Sequence, residues 1–250
     1  MSWWLHVLLG GVGYLFFLLF YLPANQAFSW LIPENFPLIT TDVHGTLWQG
    51  HATDTFYQGV ELGSADWSFR PLTLPLGQLS YEISLSDGSQ QIKGDAGFNL
   101  ITGTYEVSDL NGRIRAAKIP ALIGQPYLQL SGDLDVDIRQ IDISNLWLSS
   151  ANGVVRWNNA SIRKPVETQL GNLQFELSGD ESLLKTQIKD ISGPLKVDTV
   201  VELQPDLSYR IKGKIKQSGS SDQGLIGLLR NMGRALADGS TQIDYSGQLQ

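Results

Sequence analysis

A two-residue rhythm does most to limit what this chain can become. In Gly132 to Ile138 (GDLDVDI), Leu134, Val136 and Ile138 alternate with Asp133, Asp135 and Asp137. Successive side chains of an extended strand point to opposite sides of a sheet, so the segment has one apolar and one acidic face. The same alternation runs through Leu79, Tyr81, Ile83 and Leu85, through Leu173, Phe175 and Leu177, and through Tyr209, Ile211 and Ile215. After Ile138 the apolar parity slips, with Ile141 and Ile143 resuming on odd numbers, which predicts a turn or bulge at Arg139-Gln140. Many short alternating strands in succession predict an all-β fold, an antiparallel meander forming a sheet or groove.

The meander repeats itself. LGQLSYEI at Leu76 to Ile83 and LGNLQFEL at Leu170 to Leu177 share the pattern L-G-[QN]-L-x-[YF]-E-[IL]. Upstream of them stand two Gly and Trp stretches, GTLWQGHA at Gly45 to Ala52 and GVVRWNNA at Gly153 to Ala160. Two related β segments joined into one sheet are expected, the second starting at about residue 150. One helix is expected near the C-terminus: Leu225, Leu228, Leu229, Met232, Ala235 and Leu236 recur at helical spacing, with Ser221 or Asp222 before them and Gly239 after. TQIDYSGQL, from Thr241 to Leu249, reads as a closing strand.

At the other end, Trp4 to Leu22 is a run of 19 residues with no Asp, Glu, Lys or Arg. That is close to the ~20 apolar residues a helix needs to cross a hydrocarbon core. Trp3, Trp4 and Tyr21 flank it, where amphipathic rings favour the headgroup level. A cleaved signal peptide would have a shorter apolar stretch, preceding positive charge and a small-x-small site, and the run has none of these. No Lys or Arg follows before Arg70, so the flank carries no charge that would hold it inside, and the bulk of the chain is expected beyond the membrane. PANQAFSWLIPENFPL then reads as a connector, because Pro23, Pro33 and Pro37 disfavour continuous helix or ladder. Folded structure should begin near Ile39.

Charge and composition exclude several functions. A net charge of −7 argues against broad binding to nucleic acid, which needs an excess of cations. The absence of cysteine removes thiolate catalysis and Cys-based metal centres. Phosphate-binding glycine loops and the nucleophile elbow are missing, so no catalytic residue and no cofactor are assigned. Two of the three histidines, His44 and His51, flank Trp48, but strand parity separates them and no HExxH pair accompanies them. They read as structural or surface residues and no metal site is assigned. Gly45, Trp48 and Gly50, with Trp67 and Trp157, read as architecture: large core rings beside glycines that allow a bulge or a close approach. Asn159-Ala160-Ser161 is a formal glycosylation acceptor and carries no weight outside a secretory eukaryotic context. In YRIKGKIKQ, Arg210, Lys212, Lys214 and Lys216 share one strand face, a candidate docking face for an acidic partner.

The apolar span, the proline-bearing connector, G-T-L-W-x-G-x-A at Gly45 to Ala52, A-D-W-S-F-R-P-L at Ala65 to Leu72 and the late LLRNMGRALADG stretch together resemble the type II secretion system protein N family. The resemblance covers essentially the whole chain. It departs in lacking Lys or Arg before the span. It implies a single-pass protein of the Gram-negative inner membrane: residues 1–3 cytoplasmic, 4–22 transmembrane, 23–38 connector and 39–250 a periplasmic β domain. The function it implies is that of a non-catalytic accessory subunit, partnered by other inner-membrane secretion components, in the export of folded proteins across the outer membrane. The family also looks distantly like long β-groove proteins associated with lipid transport between membranes, which makes lipid the alternative partner.

Overall fold

The structure is a computed structural model that describes residues 3–31, 37–88, 90–144, 147–165, 167–218, 227 and 233–248. Two helices lead the chain, α1 (Trp3–Phe20) and α2 (Ala24–Leu31). The first strands are β1 (Leu38–Gly45), β2 (Gln49–Tyr57), β3 (Val60–Phe69), β4 (Gln78–Asp87), β5 (Gln90–Asn99) and β6 (Thr104–Arg115). A short helix α3 (Ile119–Leu122) precedes β7 (Gln129–Ser144), β8 (Trp147–Lys164), β9 (Thr168–Asp180), β10 (Leu183–Ser192), β11 (Leu195–Leu203) and β12 (Ser208–Gln217). The last strands are β13 (Arg234–Ala235) and β14 (Ser240–Gln248).

All fourteen strands form one sheet in the order β1 through β12, then β14 and β13. Every pairing is antiparallel between sequence neighbours until the exchange of the last two strands. The all-β antiparallel meander expected from the rhythm is therefore the observed fold. The sheet runs unbroken across residue 150, where the second related segment was expected to begin, and its longest strands, β7 and β8, flank that point.

The registers line up the two faces across the molecule. Val43, Ala52, Ala65, Leu85 and Ile92 are consecutive cross-strand partners. The row continues through Gly112, Val136, Val155, Phe175, Ile188, Thr199 and Gly213 to Ile243. One residue along, His44, His51, Asp66, Ser84 and Lys93 form the matching row on the other face. Among the described residues no second layer covers the apolar face. Strands pack on their sheet neighbours, and the main addition is the segment Ala116–Leu122, whose buried Ala116 joins Trp157, Leu173 and Val197.

A single sheet buries large side chains only if it bends, and bulges bend it. At Asp42, Asp54, Asp109 and Asn159 the backbone adopts φ of 44° to 50°, a left-handed conformation that Asp and Asn tolerate better than other side chains. Each of these residues is skipped in a ladder whose register shifts there. The parity slip after Ile138 is real: Arg139 is passed over by both neighbouring strands, which returns Ile141 to the apolar side.

Two expectations need correction. The stretch that prolines were expected to leave irregular contains α2, which fits between Pro23 and Pro33 and buries Ala24 and Ala27. The C-terminal helix does not extend to Gly239, because Arg234 and Ala235 pair with Gln242 and Thr241 as strand; Gly227 is helical, and Ser221, Asp222, Leu225, Leu228, Leu229 and Met232 lie outside the described residues. α1 covers 18 residues, roughly 27 Å at ~1.5 Å per residue against a ~30 Å hydrocarbon core. Among the described residues no helix is long and apolar enough to cross a membrane.

Candidate functional site

The Gly and Trp stretch that opens the sheet folds into a tight corner. Gly45 takes φ +97°, and a Cβ there would strike the Gln49 carbonyl, so the turn from β1 to β2 closes only with glycine. Gly50 is needed for a different reason. The Trp67 ring lies where its Cβ would be, and the Trp67 indole N–H donates to the Thr46 carbonyl at 3.2 Å. Trp48 is half-buried rather than a core ring. Its ring centroid is 4.8 Å from Phe69, which is 5.3 Å from Tyr81, so three rings step across β3 and β4 on the apolar side. Burial pushes the Tyr81 hydroxyl pKa upward. Phe20 of α1, Trp48, Phe69, Pro71 and Leu74 line an open apolar cleft of about 470 Å³ beside this corner.

His44 and His51 do not diverge. They stand directly opposite one another in the β1–β2 pairing, and His51 Nδ1 lies 2.7 Å from Asp66 Oδ1 on β3. Parity separates residues along one strand, whereas a hairpin brings the two strands back side by side. Even so, among the described residues no three His, Asp or Glu side chains gather to hold a metal ion.

Trp157 occupies a different environment. It is 9 % exposed, sits in the main apolar cluster with Leu173 and Leu195, and its indole N–H donates to the Ser131 carbonyl at 3.0 Å. The two repeat copies are alike in structure: Gly77 and Gly171 both take positive φ, and the alternating apolar residues after each face the same side. Their upstream Trp stretches are not alike. GTLWQGHA straddles a turn, while GVVRWNNA lies wholly inside β8.

The basic stripe on β12 is present, with Arg210, Lys212, Lys214 and Lys216 all exposed on one face. It is interleaved with acids. Glu202 is opposite Arg210, Asp198 opposite Lys214 and Asp244 opposite Lys212, and Arg210 approaches Asp244 at 3.7 Å. The face is therefore of mixed charge. Elsewhere Arg70 holds both Glu82 at 2.9 Å and Asp95 at 2.8 Å. Its guanidinium is held more firmly protonated by the Glu82 hydrogen bond, while Asp95, sharing that cation, loses more by burial than it gains and its pKa is raised. At Asp190 burial also opposes ionisation, but the Lys196 ammonium at 2.7 Å and the Val197 N–H at 2.8 Å outweigh it, and the pKa is lowered.

Two features escaped sequence reasoning. The connection RPLTLPLG forms a 3-10 helix, Pro71–Leu76, that projects leucines outward; its Leu-x-Leu-x-Leu rhythm imitates a strand, and only the two prolines signal otherwise. Ala116–Leu122 lies over the end of the apolar face farther from α1, and the Lys118 ammonium fastens it to Asp87 at 2.7 Å and to the Glu61 carbonyl. The helical spacing there is too short to register.

Among the described residues these surfaces define a single-layer antiparallel β sheet with an open apolar face. The chain belongs to the type II secretion system protein N family: the family described as "Type II secretion system (T2SS), protein N" matches residues 37–244. It is similar to the type II secretion system protein N of Vibrio cholerae, 27 % identical over 92 % of both chains. It is also similar to the proteins of that name from Aeromonas hydrophila, 25 % identical over 95 % of both chains, and Pectobacterium carotovorum, 19 % identical over 95 % of this chain and 94 % of the other. No solved structure matches it. The protein is a component of a type II secretion system.

Proposed function

We propose that the protein is a non-catalytic accessory subunit anchored in the inner membrane of a Gram-negative cell, its sheet in the periplasm, supporting the export of folded proteins across the outer membrane. The observation that carries this reading is the extent of the family match, which takes in the sheet from before β1 into β14. Anchoring is supported by α1, whose Trp3, Trp4, Val7, Leu8, Leu9, Val12, Phe17 and Leu18 side chains stand exposed. Tyr21 and Leu22 extend the apolar run past the helix to the 19 residues counted from Trp4, within the ~17–25 range of spanning helices. On this reading the span is 4–22, residues 1–3 are cytoplasmic, and the sheet follows the α2 connector. Other inner-membrane secretion components are the partners, since a shared membrane raises the effective concentration of neighbours. The mixed charge around Arg210 to Lys216 makes that face a guide to orientation more than a source of affinity.

The test is fractionation and isolation of the full chain from its native envelope. It should stay with inner membranes under alkaline extraction and, in mild detergent, bring inner-membrane secretion components with it. Release by alkali with no such component bound would overturn the reading.

One observation favours a second reading, a groove that holds or passes lipid. The apolar rows run the width of the sheet and, among the described residues, no covering layer lies over them; a large uncovered apolar surface marks a binding site. If that is the working surface, natively isolated protein carries lipid, and Val155→Asp, which puts a charge in the middle of the row, removes it. Lipid-free wild-type protein would sink this alternative.

A further inference from the structure

The direction of the chain alternates along the meander, so the β1–β2, β3–β4 and β5–β6 connections all lie at one end of the sheet. α1 leaves from that same end: the Leu47 N–H donates to the Leu22 carbonyl at 3.0 Å, and Pro23 bridges to Thr46. There the 3-10 helix carries Leu72, 87 % exposed, and the β5–β6 turn carries Ile101, 80 % exposed, with Leu76 and Leu100 exposed beside them. Neither Pro71 to Gln78 nor Asn99 to Tyr105 contains a charged residue.

The two connections are built together, and several of their polar groups bond within them. The Leu100 N–H donates to the Gly77 carbonyl at 2.8 Å. The Thr73 hydroxyl sits between the carbonyls of Arg70 and Gln78, at 2.8 and 2.9 Å. Asn99 Oδ1 accepts from the N–H groups of Ile101 at 2.9 Å and Thr102 at 3.0 Å, and Pro71 and Pro75 have no N–H to satisfy. A tip whose backbone donors are capped while its apolar side chains point out is suited to a medium poor in hydrogen-bond partners. Two later connections at this end differ. Asp180 and Glu181 sit in the β9–β10 turn and Asp206 in the β11–β12 turn.

We propose that this end of the sheet rests on the lipid surface beside α1, with Leu72, Leu76, Leu100 and Ile101 seated at the boundary of headgroups and acyl chains, and the Asp180–Glu181 and Asp206 turns in water. A bilayer is the fitting partner because the apolar residues crown narrow tips next to the span. The cleft of Phe20, Trp48, Phe69 and Leu74 then opens at the level of the membrane. The proposal rests on the reading of α1 as an anchor.

The chain has no cysteine, so single cysteines introduce the only thiol. The full-length variants Leu72→Cys, Ile101→Cys, Asp206→Cys and Val12→Cys, each labelled with an environment-sensitive fluorophore, are reconstituted into phosphatidylcholine–phosphatidylglycerol vesicles containing spin-labelled lipids. All four side chains are at the surface, and unchanged melting verifies the fold. Probes at Leu72 and Ile101 should shift to the blue and be quenched by shallow spin labels, the probe at Asp206 should do neither, and the probe at Val12 should be quenched by deep labels. Probes at Leu72 and Ile101 as wet and unquenched as that at Asp206, with Val12 still quenched, would overturn the docking and leave the anchor standing. Loss of quenching at Val12 as well would overturn both.

Discussion

The two halves of the sheet use the same alternation and bury different things. Up to residue 128, the buried apolar side chains among the described residues are small: Ala24, Ala27, Ala52, Ala116 and Pro120. From β7 onward they include Val136, Ile138, Trp157, Leu170, Leu173, Leu195, Val197 and Ile243. Among the described residues no opposing sheet fills the apolar side, so large side chains are removed from water only where neighbouring rows press against one another. The second half holds the molecule together. The first half keeps Ile83 and Tyr105 exposed on the apolar side and carries the corner, the cleft and the outward leucines. The difference teaches that one binary pattern serves both as a core and as a surface.

The largest test of this contrast sets Trp157 against Trp67, since both indoles donate to a backbone carbonyl and both face the apolar side. Trp157→Ala should cost about 3–5 kcal/mol, the range for emptying a buried aromatic site. The half-buried Trp67 should cost roughly half as much, in proportion to the area withdrawn from water. Urea unfolding of the full chain in detergent measures both, and equal losses would break the distinction between the halves. Next comes Gly50→Ala. The new methyl meets the Trp67 ring and, at 2.5 Å, the His44 carbonyl, and forcing them apart should cost about 1–3 kcal/mol with a visible change in tryptophan emission.

A smaller effect sharpens the comparison through pH. Asp95 in the first half and Asp190 in the second have the same side-chain exposure, 14 %, yet their pKa values move in opposite directions. Asp190 binds protons less readily when folded, so it contributes stability above the ordinary aspartate value of 3.8 and loses it as pH falls below. Asp95 binds them more readily, so its contribution is present at low pH and is lost as pH rises through the window just above 3.8. Asp190→Asn should therefore lower the melting temperature at neutral pH and Asp95→Asn should raise it, and both differences should shrink under acid. Shifts of the same sign would show that the sharing of Arg70 between Glu82 and Asp95 does not decide the matter. The smallest expected change is at the His51–Asp66 pair. Both partners are well exposed, so His51→Ala should alter stability by about 0.5 kcal/mol or less.

The alternation by itself determined the fold class, the two faces of each strand and the bulge at Arg139, because those follow from the period of an extended backbone. The resemblance carried by Gly45 to Ala52 and Ala65 to Leu72 pointed to the family that the match over 37–244 then showed. Only the tertiary structure decided which residues meet. Register sets His44 against His51, Trp67 over Gly50, and acids among the cations of Arg210 to Lys216, and register is a property of two strands that neither one encodes alone. The same holds where local signals are weak or conflict. Prolines at 23 and 33 left room for eight residues of helix, and Arg234 and Ala235 gave up helical spacing for ladder bonds to Gln242 and Thr241. The bulges at single Asp and Asn residues, three of them in the first half, likewise rest on a left-handed backbone that only the paired ladders reveal.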